Sequence, residues 1–115
     1  MQGFGSANSG SHHFITQRVT AVALVPLVVL FIIPFGSNLG AGYDQVIETY
    51  SHPFNAIIAL LFIITIFKHL SQGLQVVIED YVPKKGMRTA LLLANTFCCW
   101  LFGLTGVFAI AKIAL

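Results

Sequence analysis

Charged residues are scarce in this sequence of 115 amino acids. They make up 9% of the chain, against about 25% in a typical globular domain. Apolar residues make up 57%, and the mean hydropathy is +0.85. A water-soluble fold of this size needs polar residues to cover its surface, and a nucleic-acid-binding protein needs a clustered basic face. Six basic and four acidic residues supply neither, so the composition predicts a protein that is surrounded by lipid.

Cysteine is nearly absent as well. The two cysteines, Cys98 and Cys99, are adjacent, so on a helix their side chains diverge by about 100°. They form neither a CxxC metal-site spacing nor a disulfide framework. We interpret both as small apolar residues of a membrane helix.

The few charges divide the apolar sequence into three segments. Each is long enough to cross about 30 Å of hydrocarbon at 1.5 Å per residue. The predicted spans cover about residues 19–36, 53–82 and 89–113. We therefore predict an all-α integral membrane protein with three transmembrane helices, forming a single domain over residues 1–115. A cleavable signal peptide fits poorly, because no basic residue precedes Arg18 and two further spans follow.

The segment before the first span, residues 1–17, is rich in glycine and serine over its first eleven residues. This composition predicts an extended conformation there unless a partner orders it.

The positions of lysine and arginine predict the orientation of the spans. Arg18 precedes the first span, and three basic residues lie between the second and third, at Lys84, Lys85 and Arg88. The loop between the first two spans contains acids but no base. Under the positive-inside rule, the N-terminus lies inside and the C-terminus outside.

Polar residues within a span are costly, and His69 is the clearest example. It lies about 24 Å along the helix from Pro53 and about 18 Å from Tyr81, which places it near mid-bilayer. Neutral imidazole is a good haem-iron ligand, and Gly73, one turn later, offers room for a porphyrin. From position and neighbours alone, a hydrogen bond across a helix interface is the more common reason for such a histidine. Lys68 either extends towards the membrane surface or meets an acidic group of another chain.

Further candidate residues lie at the predicted inner surface. Asp80 follows His69 by eleven residues, so it lies about 20° from it around the helix. The phenol of Tyr81 offers a hydrogen bond to a quinone carbonyl, although an aromatic residue at the lipid boundary has the same position. Arg18 and His12 suit the carboxylates of a haem, whereas the positive-inside rule alone explains Arg18.

Two sequence motifs resemble the small membrane-anchor subunit of succinate dehydrogenase, the D-type cytochrome b subunit of respiratory complex II. These are S-G-S-H-H-F-x-x-Q-R-V-T-A at residues 9–21 and H-x-x-x-G-L-Q-V-V-I-E-D-Y-V at residues 69–82. The resemblance covers nearly the whole chain. It is strongest to alphaproteobacterial and mitochondrial members, which implies the bacterial inner membrane or, alternatively, the mitochondrial inner membrane.

The resemblance implies a role for each candidate residue. His69 matches the axial ligand of haem b, and Arg18 and His12 match residues near the haem propionates. Tyr81 and Asp80 match residues of the ubiquinone site. The implied partners are a sister cytochrome b anchor subunit, an iron–sulfur subunit and a flavoprotein subunit, so the chain alone has no catalytic activity. The alternative function is a small transporter or channel subunit that uses His69 and Lys68 in an ion or proton path.

Overall fold

The computed structural model describes residues 3–115, with side chains from residue 11 onward. These residues form four α-helices: α1 (Gly3–Ser37), α2 (Tyr43–Ser51), α3 (Pro53–Tyr81) and α4 (Lys85–Ala114). Three segments are long and apolar enough to cross a membrane, Ser11–Ser37, Pro53–Tyr81 and Lys85–Ala114. The all-α class and the three predicted spans are therefore confirmed.

Helical structure extends further than predicted at two places. α1 begins at Gly3, so the prediction of an extended N-terminal segment is wrong for residues 3–11, and residues 1 and 2 lie outside the described residues. No proline precedes Pro26, and an established helix gains one hydrogen bond for each residue added. α4 begins at Lys85 instead of residue 89, because the Arg88 N–H already donates to the Lys84 carbonyl at 2.8 Å.

α3 lies between α1 and α4 and packs against both. Towards α1, the ring of Phe62 stacks on that of Phe31, with 4.3 Å between their centroids. Towards α4, glycine allows a close approach: a Cβ atom at Gly106 would lie 3.3 Å from the side chain of Ile63. Small residues at such contacts are the usual means by which membrane helices pack closely.

The short helix α2 was not predicted. It packs against α3 and α4, at the end of the layer where α1 ends and α3 begins. The Asn38 amide donates to the Thr49 hydroxyl at 2.9 Å, and the Asn55 amide donates to the Thr49 carbonyl at 3.1 Å. Thr49 therefore links the end of α1 to the start of α3. Burial raises the pKa of the neighbouring Tyr50 phenol.

The four helices enclose very little core. Among the side chains that the structure describes, the buried ones are Thr20, Asn38, Tyr50, Ala56, Ile58 and Ala59. α4 has no buried residue. Large apolar side chains are exposed along all three long helices, so lipid or other protein chains must cover both faces of the layer.

Candidate functional site

His69 lies on the side of α3 that faces α1, and it contacts that helix. Its ring is half-buried, and its Nδ1 atom lies 2.9 Å from the hydroxyl oxygen of Thr20. Thr20 is 8% exposed, so this hydrogen bond joins two spans inside the layer. Thr20 was not singled out from the sequence, although it belongs to the first of the two motifs.

The other contacts of Thr20 define the tautomer of His69. The Thr20 hydroxyl lies 3.0 Å from the carbonyl oxygen of Thr16 and 3.1 Å from that of Gln17. A hydroxyl has one proton to donate, and these carbonyls can only accept it. The Thr20 oxygen then accepts the Nδ1 proton of His69, and the lone pair of the imidazole is on Nε2. No hydrogen bond to Nε2 is formed by the side chains of residues 11–115. A histidine held in this way is suited to bind a metal ion.

On α1 and α3, the two helices that this hydrogen bond joins, several polar atoms lack partners. Among the described side chains, the buried atoms His13 Nε2, Gln17 Oε1 and Gln72 Oε1 have no hydrogen bond. Buried polar groups are almost always paired with protein or ordered water. The region therefore has unused hydrogen-bonding capacity for water, a ligand or another chain.

Gly73 lies at the contact between α3 and α1. A Cβ atom there would be 3.6 Å from the Gln17 amide nitrogen, which is an ordinary van der Waals distance. This chain therefore tolerates an alanine at Gly73 on steric grounds. The idea that Gly73 makes room for a porphyrin stays a prediction.

Asp80 and Tyr81 form the end of α3, about 18 Å from His69 along one unbroken helix. The side chain of Tyr81 is 79% exposed, and Asp80 is exposed beside it. The helix stops at Val82, whose N–H donates to the Ile78 carbonyl at 3.0 Å. The phenol of Tyr81 is thus available to a molecule outside the chain, next to a short connection that leads into α4.

Arg18 is not brought together with His69. Arg18 precedes Thr20 by two residues, so its side chain points about 200° away from that of Thr20 around α1. Its guanidinium group lies 5.1 Å from the centroid of the exposed Phe14 ring. His12 is also exposed, and it lies about 12 Å from Thr20 along the helix. Neither residue contacts His69 among the described contacts.

Comparison with known proteins places the chain in a family. The model of the succinate dehydrogenase/fumarate reductase transmembrane subunit matches residues 2–103, which is most of the sequence. The chain belongs to this family. The resemblance inferred from the two motifs is therefore confirmed, and the transporter alternative has no support from the comparison.

Curated relatives of this transmembrane subunit match along most of their length. The chain is 32% identical over 114 residues to the succinate dehydrogenase hydrophobic membrane anchor subunit of Paracoccus denitrificans, covering 99% of this chain and 88% of the relative. It is 41% identical over 91 residues to the subunit of the same name from Rickettsia bellii, covering 78% of this chain and 72% of the relative. The expectation of a non-catalytic membrane-anchor subunit of succinate dehydrogenase is thereby confirmed.

Proposed function

We propose that this chain is the anchor of a succinate:ubiquinone oxidoreductase, in which it helps to hold haem b and to form the ubiquinone-reduction site. The observation that carries this proposal is the hydrogen bond from His69 Nδ1 to Thr20, in a chain that belongs to the family. Both relatives described above come from bacteria. This supports the bacterial inner membrane as the location of the complex.

His69 would bind the haem iron through Nε2. When bound, the haem supplies a site for one-electron transfer. The other histidines of this chain are too distant to be the second ligand. His52 lies about 25 Å from His69 along α3. His12 and His13 lie about two turns before Thr20 on α1. The second ligand therefore comes from the sister cytochrome b anchor subunit. Arg18 and His12 interact with the propionates only if the haem extends past α1 to their exposed side chains.

Tyr81 and Asp80 contribute to the ubiquinone site at the end of α3. As electrons reach the quinone, negative charge develops on its carbonyl oxygens, and a phenol placed beforehand stabilises that charge by donating a hydrogen bond. Asp80 sets the pocket geometry or delivers a proton. The adjacent connection carries Lys84 and Lys85, both exposed, and this end of the layer receives the iron–sulfur subunit, to which the flavoprotein subunit is attached.

The haem assignment is tested by replacing His69 with alanine in the assembled complex. We expect His69→Ala to abolish the Soret band of haem b, because no other histidine of this chain is within reach of the site. His52→Ala is the matched control, because His52 directly precedes the same helix and its side chain makes no capping hydrogen bond. Absorption spectra of the purified complexes provide the measurement. An unchanged low-spin haem spectrum in His69→Ala would contradict the proposal.

A further inference from the structure

The half of α3 that follows Phe67 has two stripes of opposite character. A polar stripe consists of Lys68, Gln72, Gln75 and Glu79, and an apolar stripe consists of Leu70, Leu74, Val77 and Tyr81. Both follow the spacing of four, three and four residues that keeps side chains on one side of a helix. Each member of the apolar stripe comes two residues after a member of the polar stripe, so the stripes lie about 200° apart.

Neither stripe lies at the centre of the contact with α1 or α4, although Lys68 and Gln72 line a groove beside α4, and Leu70 and Leu74 line another. His69 and Gly73 face α1, through Thr20 and Gln17. Phe67 faces α4, where a Cβ atom added at Gly103 would lie 3.6 Å from the Phe67 side chain. The two stripes therefore point out of the two faces of the layer.

Exposure agrees with this arrangement on both faces. Leu70 is 45% exposed and Val77 is 50% exposed, and apolar side chains of this kind suit lipid. On the other face, Lys68 and Glu79 are exposed and Gln72 and Gln75 are half-buried, and the Oε1 atom of Gln72 has no hydrogen-bond partner. Amide and ammonium groups facing hydrocarbon are costly, so the polar stripe is not a lipid-facing surface.

No acidic residue of this chain reaches Lys68. The sequence contains four acidic residues: Glu79 and Asp80 lie about 16 and 18 Å away along α3, and Asp44 and Glu48 belong to α2, at the other end of the layer. Phosphate groups of lipid lie about 15 Å or more from the bilayer centre. Lys68 lies about 22 Å from Pro53 and about 20 Å from Tyr81, so it is close to that centre and far from both headgroup layers.

We propose that the polar stripe is the contact surface for a transmembrane helix of the sister anchor subunit, and that this helix carries an aspartate or glutamate that pairs with Lys68. The inference rests on the proposed function and adds to it which side of α3 the sister subunit occupies. Glutamine side chains donate and accept hydrogen bonds across membrane helices, so Gln72 and Gln75 provide polar contacts about one and two turns beyond the ion pair. A shallow groove beside the stripe, lined by Lys68, Ser71, Gln72 and Trp100, accepts side chains of the same helix.

Site-specific photo-crosslinking in the whole complex tests the position of the sister subunit. A benzophenone amino acid is placed at Gln72 or, as the matched control, at Leu74, which has nearly the same depth but belongs to the apolar stripe. We expect a covalent product with the sister anchor subunit from position 72 and none from position 74; positions 75 and 77 form a second matched pair. Products from 74 and 77 alone, equal products from both stripes, or none from 72 and 75, would overturn the proposal.

The ion pair is tested by charge removal. Lys68→Met leaves the carboxylate of the sister subunit unpaired, and breaking a buried pair from one side is strongly destabilising, so we expect the yield of assembled complex to fall by about tenfold or more. Lys68→Arg retains most of the yield, and Lys112→Met, in the last turn of α4, leaves it unchanged. Normal yield from Lys68→Met would overturn the ion pair.

The two levels of the proposal fail in different ways. If the wild-type chain purified without a second membrane subunit and without haem, the proposed function itself would be wrong. If the wild-type complex were complete and the crosslinks came from the apolar stripe, the function would stand and the assignment of the polar stripe would be wrong.

Discussion

His69 depends for its chemistry on Thr20, which lies 49 positions earlier in the sequence. The depth of His69 was predictable, because the length of the second apolar segment fixes it. Its partner was not, because a contact between two spans depends on how each helix is rotated about its axis. The same rotation explains Arg18: proximity to Thr20 in sequence suggests proximity to His69, but two residues on a helix point in nearly opposite directions.

Removing the hydroxyl of Thr20 tests its role in holding His69. Valine has nearly the shape of threonine but cannot accept the Nδ1 proton, so in Thr20→Val a half-buried donor loses its partner. Loss of such supporting hydrogen bonds typically lowers metal affinity by about 10–100-fold, and we expect the complex to lose haem b more readily on dilution. The measurement is the haem content of purified complex after washing in detergent.

Two variants serve as controls for Thr20→Val. Thr20→Ser keeps the hydroxyl and retains haem. Thr105→Val removes a hydroxyl that donates to the Leu101 carbonyl at 2.7 Å on exposed α4, and it leaves the haem content unchanged. Equal retention of haem by Thr20→Val and the wild type would show that the hydrogen bond to His69 is dispensable.

Replacing Tyr81 with phenylalanine removes the phenol hydroxyl and keeps the ring. We expect Tyr81→Phe to lower succinate–ubiquinone turnover substantially, because loss of one buried hydrogen bond costs about 1–3 kcal/mol. Reduction of a dye that takes electrons upstream of the quinone is retained, so the ratio of quinone to dye activity is the measurement. Tyr43→Phe is the matched control, since Tyr43 is 78% exposed and Tyr81 is 79% exposed. An unchanged ratio in Tyr81→Phe would make Tyr81 an ordinary aromatic residue of the membrane boundary.

The helices differ in how far the sequence predicts them. The three spans follow from uninterrupted apolar runs, whose length is set by the thickness of hydrocarbon. α2 lies between two such runs, and its nine residues are too few to be predicted as a span from length. Its signal is the apolar spacing of Tyr43, Val46, Ile47 and Tyr50, which follows the i, i+3, i+4, i+7 pattern of an amphipathic helix.

A larger residue at Gly106 tests the packing of α4 on α3. A Cβ atom added at this position would lie 3.3 Å from Ile63, so the longer side chain of Gly106→Leu forces the two helices apart. We expect a loss of about 1–3 kcal/mol, seen as a lower midpoint of thermal unfolding for the complex. Gly86→Leu, on the same helix, is the matched control, because nothing lies within 4 Å of its added Cβ atom. A midpoint equal to that of Gly86→Leu would mean that the contact between α3 and α4 is loose.

At the scale of the whole molecule, the layer of three spans exposes both faces and buries few side chains of its own. Packing within this chain is therefore a small part of its stability, and lipid and partner subunits supply the rest. The two ends of the layer also differ: α2 and its acidic residues cover one end, whereas Lys84 and Lys85 lie at the other. This asymmetry is the physical basis of the orientation predicted from the positive-inside rule.

A reporter fused after Leu115 tests this orientation. Three crossings place the two termini on opposite sides of the membrane, and the excess of lysine and arginine between α3 and α4 favours retention of that connection inside. We therefore expect alkaline phosphatase, which is active only outside the inner membrane, to be active in this fusion, and a reporter active only inside to be silent. Moving the fusion to Arg88, after the basic residues between α3 and α4, reverses both signals and is the internal control. If the fusion after Leu115 were active inside, the predicted orientation would be wrong. Tyr81 and Asp80 would then lie on the side away from a soluble iron–sulfur partner.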